Sequence, residues 1–522
     1  LSEFRVIVIG AGIGGLAAAA ELAASGCAVN VLERAPTPGG KMRAIESAAG
    51  PIDAGPTVLT LRGVFDALFA AAGGDFAGAV KLSPLDTLAR HAWDSGPMLD
   101  LFADRARSAD AIGTFAGAGA ARGYLEFCAR TRRVFEALDT PFMRAPLPTP
   151  WGLTRDLGLS GVAGLLAGSP FASLWGVLGK HFVDPRLRQL FARYATYVGA
   201  SPFACPATLM LIAHVEQEGV WSVEGGMHAL ARAVADLAVA RGASFVYGAD
   251  AARIETSGDA VTGVTLRDGR RFAADAIVFN GDAAALSAGK LGPAAQRAVP
   301  AIHRRQRSLS ALVWALSART GRFPFRRHNV FFSRDYRAEF TDIFKHGRPP
   351  CEPTVYVCAQ DRADADIHPG APERFLVLAN APADGDGPVG DPQTNPRARA
   401  AVEEVLSRCS ASIDLTTPGA VLTTPRDFER LFPATGGALY GQASHGWMAS
   451  FNRPGTATRL AGLFLAGGSA HPGAGVPMAT LSGRLAASAV LARRASISKF
   501  RATATRGGMP MAGARTGVTA SR

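Results

Sequence analysis

Residues 4–15 read Phe4-Arg5-Val6-Ile7-Val8-Ile9-Gly10-Ala11-Gly12-Ile13-Gly14-Gly15. The β-branched run 4–9 has the pattern of a buried parallel strand. It enters a glycine loop, an Ala-rich helix to about Ser25, and a second strand, Ala28-Val29-Asn30-Val31-Leu32, ending on Glu33. Each piece has a physical task. Gly10 permits a tight turn, Gly12 lets backbone approach a pyrophosphate, and Gly15 allows close helix–strand packing, with Ile13 and Gly14 opening the helix. The helix then aims its positive end at the phosphates. Glu33 can accept from a ribose diol, and its charge disfavours a 2′-phosphate. Strand, loop, helix, strand and acid in one unit give this motif a specificity that the glycines alone lack.

Working outward, Glu33-Arg34-Ala35-Pro36-Thr37-Pro38-Gly39-Gly40-Lys41-Met42-Arg43 and Asp53-Ala54-Gly55-Pro56-Thr57 follow. A second glycine pair with cations, close after the ribose acid, is not needed for NAD. It resembles the flavoprotein family of amine oxidases, carotenoid desaturases and Rab GDP-dissociation inhibitors. The resemblance implies that this loop wraps the FAD pyrophosphate, with Arg34, Gly39, Gly40 and Lys41 carried over by position. Arg43 is an expected extra phosphate partner, and Gly55, Pro56 and Thr57 belong to the cofactor segment. Trp221 to Met227, a helix over 228–241 and strands to Asn280 resemble the family's second FAD contribution, in which a residue near Ala251 presents backbone to the adenine.

Gly462 to Val476 (GLFLAGGSAHPGAGV), with Ser482-Gly483 downstream, reads as strand, glycine loop and a helix to about Leu491. N–H groups there can stabilise negative charge on a reduced flavin or its pyrophosphate, which singles out Gly467, Gly468, Gly475 and Val476. The string is similar to the C-terminal signature of bacterial-type phytoene desaturases and related carotenoid oxidoreductases. Amine oxidases carry an acid where this chain has Gly467-Gly468-Ser469-Ala470. Within the family, the wording most resembles the branch of purple photosynthetic bacteria acting on hydroxyneurosporene and methoxyneurosporene. That implies an FAD-dependent desaturase forming the C3–C4 double bond of 1-hydroxycarotenoids. Phytoene or neurosporene desaturation, carotenoid isomerisation and a GDP-dissociation-inhibitor-like prenyl-protein binder are the alternatives. His471, followed by proline in a cofactor loop, reads as structural, and no catalytic acid or base is assigned.

The expected fold is α/β: a Rossmann-like FAD-binding domain of the amine oxidase/phytoene desaturase type, a mixed-sheet substrate domain and a helical lid. The FAD domain is expected from 1–75, 216–290 and 435–495, the lid from 76–215, the substrate domain from 291–434, and a disordered basic tail from 496–522. Candidate substrate-sheet strands are Ser308–Leu316, Thr354–Cys358 and Phe375–Ala379.

Composition limits the remaining classes. The 522 residues are 48% hydrophobic and 19% charged, with formal net charge +12, which excludes wholesale disorder. Ten basic and no acidic residues lie from Lys290 to Arg334, a pattern that attracts anionic lipid or nucleic acid. No nucleic-acid reading motif accompanies it, so no nucleic-acid partner is expected. Six scattered cysteines and ten scattered histidines show no metal-ligand spacing and no disulfide framework, and no metal is expected. No signal peptide is evident. Residues 157–179 are uncharged but hold six glycines and Pro170, fitting an interfacial helix pair or lid better than a span. The expected partners are a carotenoid, the membrane surface as a peripheral contact, and oxygen or a quinone as electron acceptor. The expected location is the cytoplasmic side of the inner or photosynthetic membrane.

Overall fold

Alternation along the first strand places Val6 and Val8 on one face and Ile7 and Ile9 on the other, all buried, so the strand needs cover on both sides. A computed structural model, describing residues 3–94, 96–362, 372–388 and 394–506, supplies it. Five parallel strands line up in the order Leu463–Leu465, Ala276–Phe279, Arg5–Ile9, Ala28–Glu33 and Ser244–Tyr247. Three distant stretches of chain therefore build one sheet. The helices Ile13–Ala24, Met227–Ala240 and Val476–Arg506 cover the valine face. An antiparallel sheet of Ala251–Ser257, Ala260–Leu266 and Arg271–Ala273 covers the isoleucine face.

A second sheet has seven strands, in the order Val421–Thr423, Ser310–Ala318, Glu373–Ala381, Val355–Ala359, His328–Phe331, Thr87–Ala92 and Leu99–Phe102. All pairs are antiparallel except His328–Phe331 with Thr87–Ala92. Leu312, Trp314, Leu316, Val357 and Val377 pack outward with Val402 and Val405 of the helix Thr394–Arg408. The inner face carries Ala311, Val313, Cys358 and Leu376, flanked by Tyr356, Leu378, Phe432 and Leu439.

Four expectations need correction. The segment 76–215 is not a purely helical lid, because Thr87–Ala92 and Leu99–Phe102 close the substrate sheet, which would otherwise end on a bare edge at His328–Phe331. The expected strand Ser308–Leu316 runs Ser310–Ala318. The last helix continues to Arg506, since no glycine or proline interrupts residues 484–506; residues 507–522 of the expected tail lie outside the described residues. The basic run 290–334 is no continuous patch. Arg304 and Arg307 pair with Asp386, Arg326 with Asp100, and Arg334 with Asp94.

The uncharged stretch 157–179 falls on two helices, Pro150–Ala167, kinked at Gly158, and Leu174–His181. Leu174, Val177 and Leu178 are fully buried, whereas Trp151 and Phe171 are exposed. Among the described residues no helix is long and apolar enough to cross a membrane.

Candidate active site

Three loops meet at the carboxyl ends of the parallel strands, where such sheets bind ligands. Gly10 takes φ +98°. Gly12 caps the helix Ile13–Ala24 without any side-chain hydrogen bond, leaving the first N–H groups for an outside acceptor. A Cβ on Gly15 would sit 2.2 Å from the Gly10 carbonyl oxygen, and one on Gly14 2.8 Å from that of Ala479. Glu33 accepts from the amides of Ala11 (2.6 Å) and Ala35 (2.7 Å). Each carboxylate oxygen keeps a lone pair for a ribose hydroxyl. Ala251 opens its strand just beyond, where the Ala249 amide donates to the Glu33 carbonyl at 2.8 Å.

The second glycine pair lies directly on the first loop. The Gly39 amide donates to the Ala11 carbonyl at 2.8 Å, and a Cβ on Gly40 would meet the Gly12 Cα at 3.2 Å. Backbone fills this contact, and the cations point elsewhere. Lys41 Nζ donates to the Leu439 carbonyl and lies 5.2 Å from the Phe432 ring. Arg43 donates to Thr423 Oγ1 at 2.9 Å and sits 5.8 Å from the Phe428 ring. Arg34 donates to the carbonyls of Arg430 (2.9 Å) and Leu431 (2.6 Å), at the negative end of the helix Pro425–Leu431. Lys41 and Arg43, expected on the phosphates, here hold protein partners. All three cations tie the cofactor loop to the segment 423–439.

Downstream, Asp53 accepts from the amides of Met227 (2.6 Å) and His228 (3.2 Å), capping the helix Met227–Ala240. Burial raises the pKa of its carboxyl. A Cβ on Gly55 would collide with the Lys41 carbonyl at 1.9 Å. Pro56 and Thr57 are half-buried beside it, and Thr57 Oγ1 lies 2.6 Å from Tyr356 Oη on the mixed sheet.

In the third loop the Gly467 amide donates to Ser482 Oγ at 2.9 Å. The Gly468 carbonyl accepts from Arg453, which also donates to the carbonyls of Tyr440 and Gln442. Burial pushes Arg453 down to about 10. Gly475, at φ +109°, faces open space before Val476 starts the last helix. His471 is fully buried, and its Nε2 donates to the carbonyls of Phe142 (2.8 Å) and Ala145 (3.0 Å); this geometry holds the segment 142–145 in place.

Comparison with known proteins agrees with this construction. The model of flavin-containing amine oxidoreductases matches residues 165–491, and that of an NAD(P)-binding Rossmann-like domain matches residues 8–71. The chain belongs to the flavin-containing amine oxidoreductase family. It is 51% identical to a hydroxyneurosporene desaturase of Rubrivivax gelatinosus, over 99% of both chains. It is 46% identical to a hydroxyneurosporene desaturase of Cereibacter sphaeroides, over 95% of this chain and 99% of the relative. A solved putrescine oxidase, 16% identical, covers 94% of this chain and 99% of its own with TM-score 0.56, a likeness of fold.

FAD is the cofactor of this flavoprotein, and the cradle fits it. The helix start at Gly12 offers N–H donors, the glycines keep side chains of their own out of the way, and Glu33 is held by two backbone amides at the end of the second strand. Sequence reasoning missed Asn280. It ends the strand Ala276–Phe279, donates from Nδ2 to the Gly10 carbonyl at 3.1 Å, and lies where a Cβ on Gly12, Gly14 or Gly467 would go. Its place at a parallel strand's carboxyl end was the available signal. Arg453 and Asp282, whose charges act on each other and on Lys41, were missed as well, because no local motif marks them.

Proposed function

We propose that this chain is an FAD-dependent carotenoid desaturase forming the C3–C4 double bond of 1-hydroxycarotenoids of the hydroxyneurosporene or methoxyneurosporene type. The observation that carries this reading is full-length similarity to two relatives bearing the hydroxyneurosporene name. The apolar inner face of the mixed sheet, with Leu376, Leu378, Phe432 and Leu439, suits a polyene, which needs hydrophobic walls rather than a charged clamp.

Bound FAD supplies the two-electron acceptor for C–H oxidation. The chain's share is to hold, orient and keep dry. The backbones of Gly10, Gly12 to Gly15, Gly39, Gly40, Gly467, Gly468, Gly475 and Val476 hold the cofactor, with Glu33 at its ribose. Arg453 places positive charge on the third loop through the Gly468 carbonyl, where it would offset negative charge on the reduced site. Residues 1–75, 216–290 and 435–495 act as one cofactor unit. No acid or base is required from the chain for this assignment.

Peripheral membrane contact completes the reading, with oxygen or a quinone as acceptor. Trp151 is 87% exposed, Phe171 75% and Trp447 51%, and the last two rings touch with centroids 5.5 Å apart. Large aromatic rings left in water, two of them in contact, mark an interaction surface.

The test is product analysis. The chain is expressed in cells accumulating 1-hydroxyneurosporene and in cells accumulating phytoene. Loss of two mass units with a red shift in the hydroxylated pool alone is expected. Conversion of phytoene would replace this reading with general desaturation.

A further inference from the structure

A polyene pocket has little need of buried polar groups, yet one cluster stands beside the apolar inner face. Tyr356 Oη lies between Thr57 Oγ1 (2.6 Å) and His328 Nδ1 (2.8 Å). Opposite, Tyr194 and Tyr197 each donate to Glu216 at 2.6 Å. Arg193, 7% exposed, packs with its guanidinium carbon 5.0 Å from the Tyr197 ring centre. Tyr197 and Tyr356 pack against the same apolar cluster, and the charge of Arg193 acts on both and on His328.

Two properties of the cluster bear on its task. First, Arg193 Nε and His328 Nε2 are buried without a hydrogen-bond partner, a costly condition that calls for a reason. Secondly, Thr57, Tyr197 and Tyr356 keep part of their surface uncovered, although Tyr197 and Tyr356 lie deep in the protein. That uncovered surface is available to a ligand.

The chemistry of the proposed substrate says where a hydroxyl must go. In a 1-hydroxycarotenoid the oxygen is three bonds from C3, so with bonds of ~1.5 Å it lies within about 4 Å of the reacting carbon. Its recognition site must therefore adjoin the cofactor rather than the far end of the pocket. Thr57, immediately after Gly55 and Pro56 of the cofactor segment, puts this cluster there.

We propose that Tyr356 and Tyr197, with the His328 imidazole behind Tyr356, form the pocket that selects the substrate's C1 hydroxyl; this rests on the reading given above. Tyr197 donates to Glu216 and its oxygen takes a hydrogen bond from Arg193, so its second lone pair is left to accept from the substrate hydroxyl. If the Tyr356 hydroxyl donates to His328 Nδ1, then His328 Nε2 carries a proton and is a second donor. A methyl ether keeps the accepting oxygen and loses only the donated bond, so it is tolerated better than a hydrogen in place of the hydroxyl.

Y356F and Y197F test this in the full-length FAD-loaded protein, with liposomal 1-hydroxyneurosporene, its methyl ether and its 1-deoxy analogue. Rates and binding, the latter from tryptophan quenching, are compared, with flavin content and Tm as folding checks. The wild type is expected to rank hydroxyl over ether over deoxy. Each variant should shrink the hydroxyl-over-deoxy ratio in kcat/KM and in Kd about tenfold or more. Unchanged ratios in folded variants, beside a wild type that prefers the hydroxylated polyene, overturn the pocket alone. A wild type that prefers the deoxy polyene overturns the proposed function and the pocket together. Should one variant not fold, the other decides.

Discussion

At the carboxyl end of the parallel sheet the cradle is shaped almost wholly by backbone: the Gly12 helix start, the Gly39–Ala11 bond and the Gly467 amide. On the inner face of the mixed sheet the polar groups are side chains: Tyr356, His328, Glu339 and Asn380. Where two backbones touch, the cradle tolerates no added atom, because its walls cannot rotate away. A side-chain pocket can be altered one group at a time. The cofactor end should therefore fail abruptly on substitution, and the substrate end should change by degrees.

The largest effect is expected where two backbones touch. A Cβ on Gly15 would lie 2.2 Å from the Gly10 carbonyl, and one on Gly483 2.0 Å from the Gly14 carbonyl. Overpacking of this kind costs about 1–3 kcal/mol or more, because helices rather than rotamers must move. G15A and G483A should purify without flavin absorbance or not fold. A G15A protein with full flavin content would break the comparison at its first term.

Asn280 is the side chain that touches both the first and the third loop of the cradle. N280A removes its bond to the Gly10 carbonyl and the support beneath three glycines. Losing a buried bond of this type costs about 1–3 kcal/mol, or roughly ten- to hundredfold in affinity. Calorimetric titration of the apoprotein with FAD measures it. Unchanged affinity would show that the glycines alone set the loop.

The same contrast explains what could be read in advance. The parallel sheet and its loops follow from contiguous motifs, each carrying strand, turn and helix within about 30 residues, so Gly10 to Glu33 and Gly462 to Gly483 were legible. The substrate end is assembled from residues with no common period: Thr57, Arg193, Glu216, His328 and Tyr356 meet only in space. The strand His328–Phe331 was hidden because four residues beside Arg326 and Arg327 look like a charged loop. The basic run looked unneutralised because its acids, Asp94, Asp100 and Asp386, lie far away in sequence.

A titration sharpens the substrate end. Glu339, 1% exposed, accepts from Thr354, Ser333 and Asn380, yet burial pushes its carboxyl up from 4.5 to about 7. The native state thus holds a proton that the unfolded chain has released, and this contribution is full below pH 4.5 and lost as pH rises to about 7. His91 and His328, pushed down to about 3 from 6.5 by burial, act in the opposite sense: their contribution is full above pH 6.5 and falls away toward pH 3. E339Q removes the first arm only. Between pH 4.5 and 7.5 the stability of E339Q relative to wild type should rise by on the order of 3 kcal/mol, read by denaturant unfolding. Parallel profiles would mean that Glu339 is ionised in the native state.

Arg43 tests the boundary between the two ends, and its effect should be the smallest. It belongs by sequence to the cofactor loop, but its guanidinium reaches Thr423 Oγ1 and the Phe428 ring. Together with Arg34 and Lys41 it ties the loop to the segment 423–439. R43Q should therefore retain FAD at wild-type affinity and lose about 1 kcal/mol of stability, the worth of one hydrogen bond and a partly buried cation–π contact. Thermal unfolding of the apoprotein reads the second quantity, and FAD titration the first. Weaker FAD binding without a fall in Tm would place Arg43 on the phosphates, and the cradle would then rest on side-chain charge as well as backbone.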